Sequence, residues 1–409
     1  MGPFVLRNWL QQFDNLLSHW SPESVARRYS QPIKMRLGSR VIGPDSPYWE
    51  SECSHVTATI GEMIQWAKGI KATATSDFDS KLPPNFQKFP CPEPTLSDFN
   101  PAYHWCYLDY KYAFEMFSSD DLATIDWNRW LEIDRSGVDS TLWLGTAGAF
   151  TPCHYDTYGF NLVAQISGPK RWILLPPESG PFLRPTRIPY EESSVFSELK
   201  IGLESQGLAK ADIFMADLKP GDVLFVPPFW WHYVSCLDEI SLTLNTWVPT
   251  NTDKLSRLHE VIVAAIVSQF LKANSNLKLE SVLNPTETFN ENWSDCLAAV
   301  LTDFREKKAD LEEPKNKKMK LEDEKTYDPQ NFFEKWSSKG ELVPAISWET
   351  FKELVPDGNN ESSGDKICDK KSENLNPDFS NRLLLKSLTH PDIVKNIADK
   401  LLQSLDVER

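Results

Sequence analysis

The sequence predicts a mainly β core with helical extensions at both ends, and three observations carry that expectation. Short runs rich in β-branched and aromatic residues recur at 142–144, 161–166, 171–175, 223–226 and 240–247. Gly- and Pro-rich turns separate them, notably Ser167-Gly-Pro169, Pro176-Pro177 and Lys219-Pro-Gly-Asp222. Helical spacing of apolar residues appears on both sides of this stretch and fades inside it. Many short strands between such turns imply a closed or double-sheet β architecture. Within 240–247, Ile240, Leu242 and Leu244 alternate with Ser241, Thr243 and Asn245, so one face packs while the polar face can line a cavity.

Taken in order, residues 8–19 carry Trp9, Leu10, Phe13, Leu16 and Leu17 at helical spacing, and 56–68 repeats the habit with Ile60, Met63, Ile64 and Ala67. Residues 81–101 are rich in Pro and short polar residues and read as a long connection. After Pro249, Leu255, Leu258, Ile262, Ala265 and Ile266 form one helical stripe, and a second apolar segment follows at 293–304. Two such helices suit a cap or a surface for homodimer formation. Residues 306–325 are almost entirely charged and read as a linker. Short helices are expected around Phe332, Trp336, Trp348 and Phe351, disorder over 357–377, and a closing helix over 391–405. The expected organisation is therefore an N-terminal helical and mixed region over 1–106, a β core over 107–250, helices over 251–305, a charged linker over 306–326 and a partly disordered tail over 327–409.

A length of 409 residues allows two average domains, and the pattern favours one large domain with extensions. The formal net charge of −15 would repel a phosphate backbone, which argues against nucleic acid as a partner of the whole molecule. Seven cysteines lie scattered at 53, 91, 106, 153, 236, 296 and 368 without a C-x-x-C pair, which fits neither a disulfide framework nor a zinc module and implies a reducing compartment. Arg7, Gln11, Gln12 and Asp14 interrupt what would be a signal-peptide core, and the longest apolar run, 261–267, is too short to cross a bilayer. The basic cluster Lys315-Asn-Lys-Lys-Met-Lys320 resembles a nuclear import signal, but Glu312, Glu313, Glu322 and Glu324 flank it and favour a solvated linker. A cytoplasmic protein is expected, with a nuclear location left open.

The chemistry concentrates in Thr151-Pro-Cys-His154-Tyr-Asp156 and Pro227-Pro-Phe-Trp-Trp-His232. Residues two apart in a strand share a face, so His154 and Asp156 can present an imidazole and a carboxylate to one point. His232, at the end of the apolar run 223–227, is the candidate third ligand. A lone core histidine is usually structural, but a buried Asp beside buried His is costly without a metal or a full set of partners. Two imidazoles and one carboxylate on one face of a metal leave the opposite positions open, which suits non-haem Fe(II); a tetrahedral zinc site would use the same residues.

The segments TPCHYDTYGFNLVAQISGPKRWILLPP, KPGDVLFVPPFWWHYV and SLTLNTWV together resemble the JmjC family of Fe(II)- and 2-oxoglutarate-dependent oxygenases, especially its asparaginyl-hydroxylase-like branch, over roughly residues 107–248. The resemblance implies a double-stranded β-helix, the cupin-like jelly roll, flanked by helices. It also implies that His154, Asp156 and His232 bind iron, and that Tyr107, Thr151 and Lys170 hold the distal carboxylate of 2-oxoglutarate. A buried dicarboxylate needs a cation and neutral donors to offset its desolvation, which is the chemistry those three offer. Asn161 and Asn245 match polar positions near the site, although the stretch from Asp156 to Asn161 is one residue longer here. Phe229, Trp230 and Trp231 have a plain core reading and would otherwise wall the metal from water.

The resemblance implies hydroxylation of a protein side chain, with a small heat-shock protein among the partners the flanking regions suggest. Lysine demethylation is accessible to the same chemistry, but no zinc-finger spacing or reader module accompanies it, and the acidic charge disfavours a tRNA substrate. The alternative is a JmjC-fold scaffold whose helices recruit partners with little or no catalysis.

Overall fold

The computed structural model describes residues 1–40, 47–69, 94–274, 279–285, 287, 292–312, 325–355 and 377–407. Sixteen strands are described: β1 (Phe4–Leu6), β2 (Ile33–Ser39), β3 (Ser54–Ala58), β4 (His104–Tyr112), β5 (Thr141–Gly145), β6 (Phe150–Asp156), β7 (Phe160–Ser167), β8 (Lys170–Leu175), β9 (Pro185–Thr186), β10 (Ser194–Ser197), β11 (Ile213–Leu218), β12 (Val223–Val226), β13 (Trp231–Cys236), β14 (Ser241–Val248), β15 (Glu341–Leu342) and β16 (Ala345–Ile346). They form a nine-stranded sheet, β15-β1-β12-β7-β14-β5-β4-β2-β3, and a seven-stranded sheet, β16-β11-β8-β13-β6-β10-β9. This is the expected mainly β core with helical extensions.

The alternation read in the last core strand sets the layers. Leu242 and Leu244 of β14 enter the largest apolar cluster, between the nine-stranded sheet and the N-terminal helices, with Trp20, Leu108, Trp127 and Leu162. Thr243 and Asn245 face the other way, into the space between the two sheets. All five expected core strands are found, with 240–247 displaced to Ser241–Val248.

Other expectations are corrected. Residues 8–19 do not form one helix. Asn8 and Asn15 adopt left-handed backbone (φ 52° and 61°) and break the stretch into a short 3-10 turn, Trp9–Gln12, and a single helical turn, Leu16–His19. Asparagine tolerates this conformation better than most residues. Residues 56–68 divide into β3 and the helix Ile60–Lys68, because Thr59 caps the helix through Glu62 in a capping box. The helix Trp293–Glu312 runs into the region expected to be linker, where acidic and basic residues retain good helix propensity. On the helix Asp253–Ala273, Leu255 is exposed and Val263 and Val267 are buried instead, joining Leu258 and Ile262 against Leu385, Val394 and Ala398 of the C-terminal helices Pro377–Leu388 and Pro391–Val407.

Residues 327–355 lie on the core. The helix Pro329–Trp336 buries Phe332 and Trp336, β15 pairs with β1, β16 pairs with β11, and Phe351 is fully buried. The long connection over 81–93, the basic cluster at 315–320 and the segment 357–376 lie outside the described residues. No described helix is long and apolar enough to cross a membrane.

Candidate metal and co-substrate site

A cleft opens between the two sheets, lined from one side by β6, β8 and β13 and from the other by β4, β5, β7 and β14. At its centre, one ligand atom from each of His154, Asp156 and His232 lies within 4.8 Å of the others. His154 and His232 are direct partners across the β6–β13 pair, with ring centroids 4.2 Å apart. The sequence reading placed His232 at the end of the preceding apolar run. It is instead the second residue of its own strand, delivered by the turn at Pro227–Trp230 in which Phe229 has a φ of +63°.

A bulge explains why Thr151 shares the cleft with His154 and Asp156. Between Thr151 and His154, β6 advances three residues while β13 advances two, from His232 to Val234. The extra residue lies in the segment containing Pro152, which has no N–H to offer a ladder and is tolerated at a bulge. The Pro152 carbonyl accepts from His154 Nδ1 at 2.8 Å, and the Trp230 carbonyl accepts from His232 Nδ1 at 3.0 Å. A carbonyl can only accept, so each imidazole carries its proton on Nδ1 and turns the Nε2 lone pair inward. These Nε2 atoms lie 3.6 Å (His154) and 4.0 Å (His232) from the Asp156 carboxylate. Burial, reinforced by His232, pushes the His154 imidazole down to about 4, which keeps it neutral and able to ligate.

Asp156 is itself held. Its Oδ2 accepts from Trp247 Nε1 at 2.9 Å and from Asn161 Nδ2 at 3.4 Å, which leaves Oδ1 toward the His154 nitrogen. Asn161 Oδ1 accepts from Asn245 Nδ2 at 2.9 Å, and Asn245 Oδ1 accepts from Trp143 Nε1 at 2.8 Å. Both asparagines therefore enter the site.

Lys170 occupies the inner end. The turn before it requires Gly168 (φ +58°), where a Cβ would lie 2.1 Å from the Ile240 carbonyl. Lys170 then begins β8 with its side chain 1% exposed and its Nζ donating to the Trp143 carbonyl at 3.3 Å. No carboxylate lies within ion-pair distance of it among the described residues, and burial lowers its pKa. Beside it, the Tyr107 and Thr151 hydroxyls lie 3.3 Å apart. Burial raises the Tyr107 phenol well above its usual range, so it stays a neutral donor. The three expected co-substrate contacts thus line the same cleft, and the Lys170 ammonium there lacks a counterion among the described residues.

The core reading of Trp230 and Trp231 holds, and the aromatic wall of the cleft is made by other residues. Phe229 is 37% exposed, Trp230 packs on Phe214, and Trp231 packs on Tyr155; none of the three lines the cleft. Trp172 does, stacked 5.6 Å from His232, together with Trp143, Trp247 and Tyr110. Trp247 was legible, since it lies two residues beyond Asn245 on the same face of a strand. Glu50 and Glu191, which also line the cleft, carried no local sequence signal.

Residues 67–254 match the family model described as a cupin-like domain. HSPB1-associated protein 1 of Mus musculus is 39% identical over 284 residues, which is 67% of this chain and 54% of that protein. The HSPB1-associated protein 1 homolog of Danio rerio is 36% identical over 305 residues, 72% of this chain and 64% of that protein. Jumonji C domain-containing protein 5 of Drosophila melanogaster is 33% identical over 135 residues, 31% of this chain and 33% of that protein. The chain spans little more than half the length of the mouse relative.

Proposed function

We propose, from a chain whose residues 67–254 form a cupin-like domain of the JmjC type, that the protein is an Fe(II)- and 2-oxoglutarate-dependent oxygenase that hydroxylates a protein side chain. The observation that supports this most is the conjunction, in one cleft, of the His154, Asp156 and His232 cluster with the buried, uncompensated Lys170. Zinc could use the triad alone, whereas a co-substrate with a distant anionic group also gives Lys170 a counter-charge.

His154 and His232 would hold the metal through Nε2, and Asp156 through Oδ1. When bound, iron with 2-oxoglutarate supplies the oxygen-activating chemistry, releasing succinate and carbon dioxide as one oxygen atom enters a substrate C–H bond. The chain's own residues do the rest. Trp247 and Asn161 fix the Asp156 carboxylate through its other oxygen, a restraint of the kind that tunes metal sites. Lys170 with Tyr107 and Thr151 orients the distal carboxylate. Trp172 and Trp143 exclude water from the inner cleft.

A second reading follows from the relatives' names. Two of them are described as associated with HSPB1, and here Leu383, Leu384, Leu388 and Ile393 of the C-terminal helices are exposed. On that reading the helical extension binds a small heat-shock protein and the β core serves as its platform.

Purified protein should bind Mn(II) and 2-oxoglutarate anaerobically and form succinate slowly without substrate. That turnover should require Fe(II), vanish in His232→Ala and be blocked by N-oxalylglycine. A folded protein that binds neither metal nor 2-oxoglutarate would overturn the oxygenase reading in favour of the platform.

A further inference from the structure

A protein substrate that puts one side chain into the cleft must lay its backbone across the rim on either side. One strand carries a row of aromatic rings from the cleft to the surface. On β4, Tyr107 is 2% exposed and Tyr110 also lines the cleft, whereas Tyr112 is 39% exposed and Phe114, two residues past the strand, is 50% exposed. The rings follow one another in contact. Tyr110 lies 5.5 Å from Trp143 and 5.8 Å from Trp247, Tyr112 lies 5.6 Å from Tyr110, and Phe114 stacks 5.5 Å from Tyr112.

The backbone is distorted to make this row. Residues three apart on a regular strand face opposite sides, so Tyr107 and Tyr110 could not both line the cleft without an interruption. Between Leu108 and Lys111, β4 advances three residues while β5 advances two, from Leu144 to Leu142, and Tyr110 takes a left-handed backbone with φ of 49°. That conformation is unfavourable for a tyrosine, and backbone outliers of this kind collect at binding sites. Packing in the core accounts for Tyr107 but not for Tyr112 and Phe114, which stay open to solvent. Lys111 and Glu115, beside these rings in sequence, are of opposite sign, so what the row offers is apolar contact rather than net charge.

Resting on the oxygenase reading, we propose that Tyr112 and Phe114 form a docking strip for an extended segment of the protein substrate, taking bulky apolar side chains near the residue that enters the cleft. A strand advances about 3.3 Å per residue and alternates its faces, so the ring spacing suits side chains two and four residues from the one in the cleft. Each such contact removes apolar area of both partners from water.

The test uses the full chain, with and without Mn(II) and N-oxalylglycine, and fluorescein-labelled thirteen-residue peptide mixtures, degenerate except at fixed positions, read by anisotropy. In one of the two chain directions, leucines at the second and fourth positions from the centre should raise affinity at least about tenfold over serines there. Leucines at the third and fifth positions should lose most of that gain, because they face away from the strip. In the double variant Tyr112→Ser, Phe114→Ser the gain should fall to about twofold or less, and Phe114→Ser alone, at the more exposed ring, should lower it in the same direction if the pair does not fold. Equal affinity for leucine and serine mixtures, a gain indifferent to register, or a gain undiminished in the variants would overturn the proposal. So would a wild-type dimer that the variants turn into a monomer, since the strip would then belong to a second copy of this chain. Mn(II) and N-oxalylglycine affinities of the wild type report separately on the oxygenase reading: if both are absent while the leucine gain persists, the strip stands and that reading falls.

Discussion

Trp247 Nε1 donates to Asp156 Oδ2 at 2.9 Å, so β14, the central strand of the nine-stranded sheet, restrains a metal-ligand candidate carried by the opposite sheet. Trp247→Phe keeps most of the ring and removes the donor. It should weaken Mn(II) binding about 10- to 100-fold, the usual effect of losing a partner behind a ligand, while leaving the melting temperature within a few degrees. Unchanged metal affinity would show that Asn161 suffices to hold the carboxylate.

His154→Ala or Asp156→Ala should cost more, because each removes a ligand. Loss of more than about 100-fold in Mn(II) affinity is expected by calorimetry. Metal binding intact in both variants would place the site elsewhere.

Lys170→Met should separate metal from co-substrate. The variant loses a charge-assisted contact to the distal carboxylate, costing about 2–3 kcal/mol in 2-oxoglutarate affinity, while Mn(II) binding stays as in the wild type. The same change removes a buried ammonium without a counterion, so the ligand-free variant should melt higher than the wild type. Thermal unfolding with and without 2-oxoglutarate reads both effects.

Stability should depend on pH through Glu191 and His55 in opposite directions. The Glu191 carboxyl is raised to about 7 in the folded protein, so its contribution is favourable at low pH and is lost as pH rises through 7. Glu191→Gln should therefore stabilise the protein at pH 8, by on the order of 2 kcal/mol after allowance for its partial exposure, and make little difference at pH 4.5. His55 is lowered to about 4 by burial and by Lys34, so its contribution is present above 6.5 and is lost as pH falls toward 4. His55→Gln should flatten the acid limb of the curve. Urea titrations across this range check both slopes.

Much of the site was legible because its chemistry is local in sequence. His154 and Asp156 lie two apart on one strand, and Asn245 sits on an alternating polar face, so side-chain period alone aimed them together. Thr151 shows where period fails: it is three residues from His154, and only the bulge at Pro152 returns it to the same face. Glu50 and Glu191 were not legible, since one lies in a 3-10 turn after β2 and the other in a loop before β10, and only tertiary packing brings them to one cleft. The fold divided the same way. Patterned core strands could be read directly, whereas β1, β15 and β16 are two or three residues long and owe their conformation to the edges they pair with.

Those brief strands set the unit that can be expressed and handled. Residues 341–346 add β15 beyond β1 and β16 beyond β11, so one hexapeptide closes an outer edge of each sheet, with Val343 N–H bonded to the Pro3 carbonyl and Met215 N–H to the Pro344 carbonyl. An unprotected edge is a template for pairing with another chain. A fragment trimmed to residues 67–254 would lack β1, β2, β3, β15 and β16, leaving β4, β11 and β12 as open edges. Such a fragment should aggregate rather than fold, and even a chain ending near residue 325 should elute as a mixture of assemblies.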